Sequence, residues 1–105
     1  MKLVIKRGQD KGMLGGMNFV LEAKVELTGE EQELVKKYKA DREILFTQGE
    51  KYAYTIGSLI NGTRDKCKDI KVLLENEEII KNACSNFKIL LEVMAKFGGE
   101  EVIEY

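Results

Sequence analysis

The chain contains no histidine and no proline, and only two of its 105 residues are cysteine. Without histidine there is no imidazole general base near pH 7, no Ser-His or Cys-His nucleophile pair, and no zinc site that uses imidazole. Two thiolates, Cys67 and Cys84, cannot close a four-ligand structural zinc site within one chain, and a disulfide is not expected in a reducing compartment. Cys84 falls on the apolar face of a helical pattern and reads as core. Cys67 lies between Lys66 and Lys68, which would favour a thiolate, but with no base or second cysteine nearby it reads as an ordinary strand residue.

No apolar run approaches the roughly 20 residues a membrane-spanning helix requires. The opening residues lack the apolar core and small-residue cleavage site of a secretory signal, so a cytoplasmic setting is expected. The Asn61-Gly62-Thr63 match to a glycosylation acceptor is accordingly accidental. The absence of proline also leaves no hinge marker, and no repeat or low-complexity tract divides the chain.

What the sequence does contain is typical of one globular domain, 1–105, with 44% hydrophobic and 33% charged residues and a net charge of −1. The charge is unevenly spread. Residues 1–24 carry Lys2, Lys6, Arg7, Lys11 and Lys24 against Asp10 and Glu22, a net +3, whereas residues 98–105 carry Glu100, Glu101 and Glu104 and no cation, a net −3. Such an imbalance permits head-to-tail or intramolecular pairing, and equally describes a solvated strand edge.

Leu3 and Ile5 mark a first strand ending at Lys6. The second is clearer: Phe19, Leu21, Ala23, Val25 and Leu27 alternate with Asn18, Val20, Glu22, Lys24 and Glu26, the period of a sheet with one buried face. Thr28-Gly-Glu-Glu31 has capping-box spacing and opens a helix to about Ala40, with Leu34, Val35 and Tyr38 as its apolar stripe. Ile44 and Phe46, then Tyr52, Tyr54 and Ile56, alternate around a Gln48-Gly49-Glu50 turn and predict a hairpin. Residues 57–69 are mixed: Leu59-Ile60 is a small apolar knot, Asn61-Gly62 a turn, and Thr63 to Lys68 a polar edge strand, with their topology open.

The strongest helical pattern is the last. Leu73, Ile80, Phe87 and Met94 recur every seven residues, flanked by Ile70, Cys84 and Leu91 and by Ala83, Leu90 and Phe97. Asn76 is a good N-cap and Glu77 falls on the apolar face, so the pattern allows a break there. Gly98-Gly99 stops the helix, and Glu101, Ile103 and Tyr105 share one face of a predicted final strand. The order β-β-α-β-β-(β)-α-β predicts an α+β fold: a single two-layer domain with an antiparallel or mixed sheet of about five strands and two helices packed on one face. Val20, Leu45 and Ala53 would face the other way, leaving either a partly apolar face suited to a homo-oligomer or a solvated one with scattered apolar residues.

The candidate site is the segment Gly8 to Gly16, which holds four of the ten glycines directly after Lys6 and Arg7. Small residues let backbone N–H groups approach an anion, and Lys6, Arg7, Gly8, Lys11, Gly12, Gly15 and Gly16 are the predicted ligand-binding set. The segment matches neither the Walker pattern nor the dinucleotide fingerprint, and Met13 and Leu14 would offer apolar contact to a ring or a partner. Tyr52 and Tyr54 with Arg64 and Lys66 on a neighbouring strand define an alternative nucleic-acid surface, which the slightly acidic composition disfavours. Glu30-Glu31, Glu77-Glu78 and Glu100-Glu101 have structural explanations, and Asp41-Arg42 and Arg64-Asp65 read as surface ion pairs. The sequence therefore predicts a non-catalytic binding protein without cofactor or metal, contacting an anionic, nucleotide-like small molecule or a protein partner. An inhibitor or adaptor would have the same composition.

Overall fold

The structure is a computed structural model that describes residues 1–11, 16–48 and 52–105, with backbone only at residues 48, 52 and 53. Gly12, Met13, Leu14 and Gly15, and Gly49 and Glu50 of the predicted hairpin turn, lie outside the described residues.

Two ten-residue strands, β1 (Lys2–Lys11) and β2 (Met17–Glu26), form an antiparallel hairpin in continuous register from Lys2 opposite Glu26 to Lys11 opposite Met17. The first strand thus passes the expected end at Lys6 and takes in Gly8 to Lys11. Those residues have little strand propensity of their own. They are extended because each faces a residue of β2, whose alternation is strong enough to act as template. A Cβ at Gly8 would meet nothing within 4 Å, so no turn demands glycine there.

Helix α1 (Gly29–Lys37) begins with the expected capping box. The Glu31 amide donates to Thr28 Oγ1 at 3.2 Å and the Thr28 amide donates to Glu31 Oε1 at 2.9 Å. The helix stops before Ala40, because Lys39 turns left-handed at φ 50° and a 3-10 turn over Ala40–Arg42 follows. Strands β3 (Ile44–Gln48) and β4 (Tyr52–Thr55) pair as the predicted hairpin but form a sheet of their own. A register irregularity between Ile44 and Phe46 reverses the expected facing at its start: Leu45 is buried and Ile44 is exposed.

The mixed stretch resolves into a short helix, α2 (Ile56–Asn61), and an edge strand, β5 (Thr63–Cys67). Thr55 and Ser58 form a second capping box, and Ile56 and Leu59 have no solvent exposure. Gly62 then leaves the helix at φ +98°, a conformation that costs an L-residue strain. Strand β5 pairs antiparallel with β2, giving the order β1-β2-β5. The fold is α+β as expected, with three strands in one sheet and two in another rather than five together.

Helix α3 (Ile70–Lys96) is a single 27-residue helix with Asp69 as N-cap and no break at Asn76. Its buried stripe of Leu73, Glu77, Ile80, Ala83, Cys84, Phe87, Leu91 and Met94 packs against β2, β5 and β3, and α1 packs against it. Ile70 and Phe97 sit at its two ends, outside the core. The Tyr38 hydroxyl donates to the Phe97 carbonyl at 3.1 Å, and the two rings meet edge to face, pinning the end of α3 to the end of α1.

The predicted final strand does not form. Residues 101–105 have no regular structure and every side chain is exposed, and no described strand pairs with them. The molecule measures 65 × 27 × 22 Å along its principal axes, of which α3 accounts for about 40 Å.

Candidate interaction surface

Strand alternation divides the predicted site. Even-numbered residues of β1 project to the outer face of the three-stranded sheet and odd-numbered residues project towards α3. Leu3, Ile5 and Arg7 lie opposite Val25, Ala23 and Leu21 of the core, while Lys2, Lys6 and Asp10 lie opposite Glu26, Glu22 and Asn18. Lys6 and Arg7, adjacent in sequence, therefore act on opposite faces.

Arg7 is engaged on the inner side. Its Nε–H donates to Glu77 Oε1 at 2.6 Å, and Lys81 Nζ lies 3.4 Å from Glu77 Oε2. Glu77 is 5% exposed, so this carboxylate tolerates burial on the helix stripe because two cations reach it. The hydrogen bond from Arg7 holds the Glu77 carboxyl below its ordinary range against the opposing effect of burial. The same pair explains why the helix continues past Asn76: the polar residue that suggested a break is an anchor to β1.

On the outer face the charges form a ladder across three strands. Arg64 Nε donates to Glu22 Oε1 at 3.2 Å, Lys66 Nζ donates to Asp10 Oδ2 at 3.0 Å, and Arg64 Nη2 stands 3.8 Å from Asp10. Lys66 is the main reason the Asp10 carboxyl is lowered. Arg64 thus pairs across the sheet, not with its neighbour Asp65, which alternation turns inward. Asp65 Oδ2 is buried with no hydrogen-bond partner, and burial pushes that carboxyl up.

Gly16 precedes β2, and a Cβ there would lie 3.9 Å from the Lys68 side chain. Of the seven predicted ligand residues, Lys6, Arg7, Gly8 and Lys11 are consecutive or near-consecutive positions of β1, and Gly12 and Gly15 lie outside the described residues. The hollow beside Lys6, of about 460 Å³, is shared with Val4, Lys24 and Arg64 and also with Glu22 and Glu26, so its charges are mixed. Tyr54 is buried in the core, and β4 belongs to a different sheet from Arg64 and Lys66 on β5, so the aromatic and basic pairs do not lie on neighbouring strands.

Reactive groups are sparse. Burial pushes the Cys84 thiol up to about 11, which keeps it protonated at neutral pH. Cys67 is half-buried and its Sγ accepts from the Asp69 amide at 3.4 Å. Among the described residues no group of three or more Asp, Glu or Cys side chains could hold a metal ion, and no helix is long and apolar enough to cross a membrane.

The feature that local sequence reasoning missed is the edge of β1. In the order β1-β2-β5 it has a partner on one side only, so along its other side no described strand pairs with its backbone donors and acceptors. It is long, carries Lys2, Lys6, Arg7 and Lys11, and its inner-facing Leu3 and Ile5 are partly buried against the core. No family model, curated protein or solved structure matches the chain.

Proposed function

We propose that the protein is a small, non-catalytic interaction module of the cytoplasm that takes up an extended, acidic segment of a protein partner along the edge of β1. The observation that carries this reading is the ten-residue edge strand bearing four cations, open on one side among the described residues. Open edges invite strand addition, in which the backbone supplies affinity and alternate side chains supply selectivity. Cations on the strand favour acidic partners and raise their rate of encounter. A small anionic ligand is less well served, since Arg7 is committed to Glu77 and Lys6 shares its hollow with two carboxylates.

The test is amide chemical-shift mapping on the labelled protein, titrated with a hexapeptide of alternating glutamate and valine, its lysine counterpart, and ATP. Shifts along residues 2–8 with the glutamate peptide alone support the reading. Shifts with ATP alone would replace strand capture by small-anion binding, and no response to any of the three, in the unaltered chain and in one carrying Glu100→Lys and Glu104→Lys, would remove the β1 edge as a binding surface.

A further inference from the structure

We infer that the acidic strand taken up by β1 is residues 100–105 of a second copy of this chain, exchanged reciprocally to form a closed dimer. This rests on the reading of β1 as a capture edge and names its partner. Two five-residue stretches are complementary at their alternate positions. Lys2, Val4 and Lys6 project from the outer face of β1, and Glu100, Val102 and Glu104 share one face of the segment after α3. Each triplet is a palindrome, Lys-x-Val-x-Lys against Glu-x-Val-x-Glu. Laid side by side in either direction, valine meets valine and each lysine meets a glutamate.

On the other face Ile103 falls beside Leu3 or Ile5, both partly buried against the core, and Glu101 falls beside the other of the two, so Ile103 alone extends that apolar layer. In the structure Val102, Ile103 and Tyr105 are 77%, 61% and 113% exposed, and no described strand pairs with this segment. The segment continues beyond α3 without regular structure, and each of residues 100–105 is exposed. An exposed segment and an edge that is open can satisfy each other by exchange between two copies, and two-fold symmetry makes both exchanges identical, so the assembly closes at two.

Two exposed pairs of charges decide the test. Variant one carries Lys2→Glu and Lys6→Glu; variant two carries Glu100→Lys and Glu104→Lys. All four positions are exposed, so the fold should be preserved, as circular dichroism would verify. Light scattering and sedimentation equilibrium of the full chain should find a dimer for the unaltered protein. Association should be weakened roughly tenfold or more in each variant alone, where like charges face each other. Mixing the two variants should restore a dimer, because in the mixed pair both exchanges again join lysine to glutamate. A monomeric unaltered protein, dimers of undiminished strength in either variant, or a mixture that stays monomeric would each overturn the exchange. If the glutamate peptide binds β1 while these results fail, the capture edge stands and its occupant is another protein.

Discussion

Replacing Gly57 by alanine sets two effects against each other, and the geometry around α2 decides between them. Alanine within a helix is favoured over glycine by about 0.5–1 kcal/mol. A Cβ at Gly57, however, would stand 2.9 Å from the Asp41 carbonyl oxygen, with the Asp41 carbonyl carbon at 3.6 Å. The obstacle is backbone, and neither side yields easily. The Ile56 amide donates to the Glu43 carbonyl at 3.0 Å, the Glu43 amide donates to the Ala40 carbonyl at 3.0 Å, and Ile56 and Leu59 are fully buried. Relieving the overlap means moving α2 away from the 3-10 turn, an overpacking cost of about 1–3 kcal/mol. The expected net change is a loss of about 1 kcal/mol, or roughly 5 °C in Tm for a chain of this size. Gly29→Ala is the internal control, since Gly29 is the first residue of α1 and has nothing within 4 Å of a Cβ; there the helix preference acts alone and stability should be unchanged or slightly higher. Urea denaturation midpoints and thermal scans of both variants read the difference. Should Gly57→Ala match or exceed Gly29→Ala in stability, the packing of α2 against the turn is wrong.

Two further outcomes follow from buried carboxylates. Because Arg7 holds the Glu77 carboxyl below its unfolded value, the pair contributes stability that is complete above about pH 5 and lost as the pH falls through the lower folded value. Arg7→Gln should therefore lower the urea midpoint at pH 7, with the gap from the unaltered protein closing below about pH 4; a gap that persists undiminished at low pH would assign the loss to packing instead. Asp65 has the opposite sign: its raised carboxyl costs stability at neutral pH and ceases to do so once protonated. Asp65→Asn should raise the midpoint at pH 7 and confer no gain near pH 3, where both states carry the proton in the parent, and a variant less stable at pH 7 would show that the carboxylate has a partner.

The elements legible in the sequence are those whose cause is local. The alternation of β2, the Thr28 capping box and the seven-residue recurrence of α3 each state a face and a period within a few turns of chain. What could not be read depends on contacts between distant residues. Gly8 to Lys11 are strand because β2 lies beside them, and Glu77 belongs in a helix core because Arg7, 70 positions away, reaches it. Helix α2 spans only six residues, too few to display a period, and its cap pairs Thr55 with a serine where glutamate is the usual signal. Residues 101–105 show the converse, a strand pattern with no strand, because alternation declares a willingness to pair and supplies no partner. The candidate site was visible as a run of cations and glycine near the start of the chain. That its cations divide between two faces, and that its backbone forms an open edge, emerges only from the register of the hairpin.

The elongated outline of the molecule has a consequence for how it travels through solution. Its radius of gyration is 17.0 Å, against about 13 Å for a compact chain of this length, the size expected of a compact body of about twice as many residues. A lone copy would drag more than a compact body of its mass and leave a sizing column early, so elution position alone would overstate its mass. Strand exchange is therefore to be read as a doubling of mass by light scattering and not from the elution position.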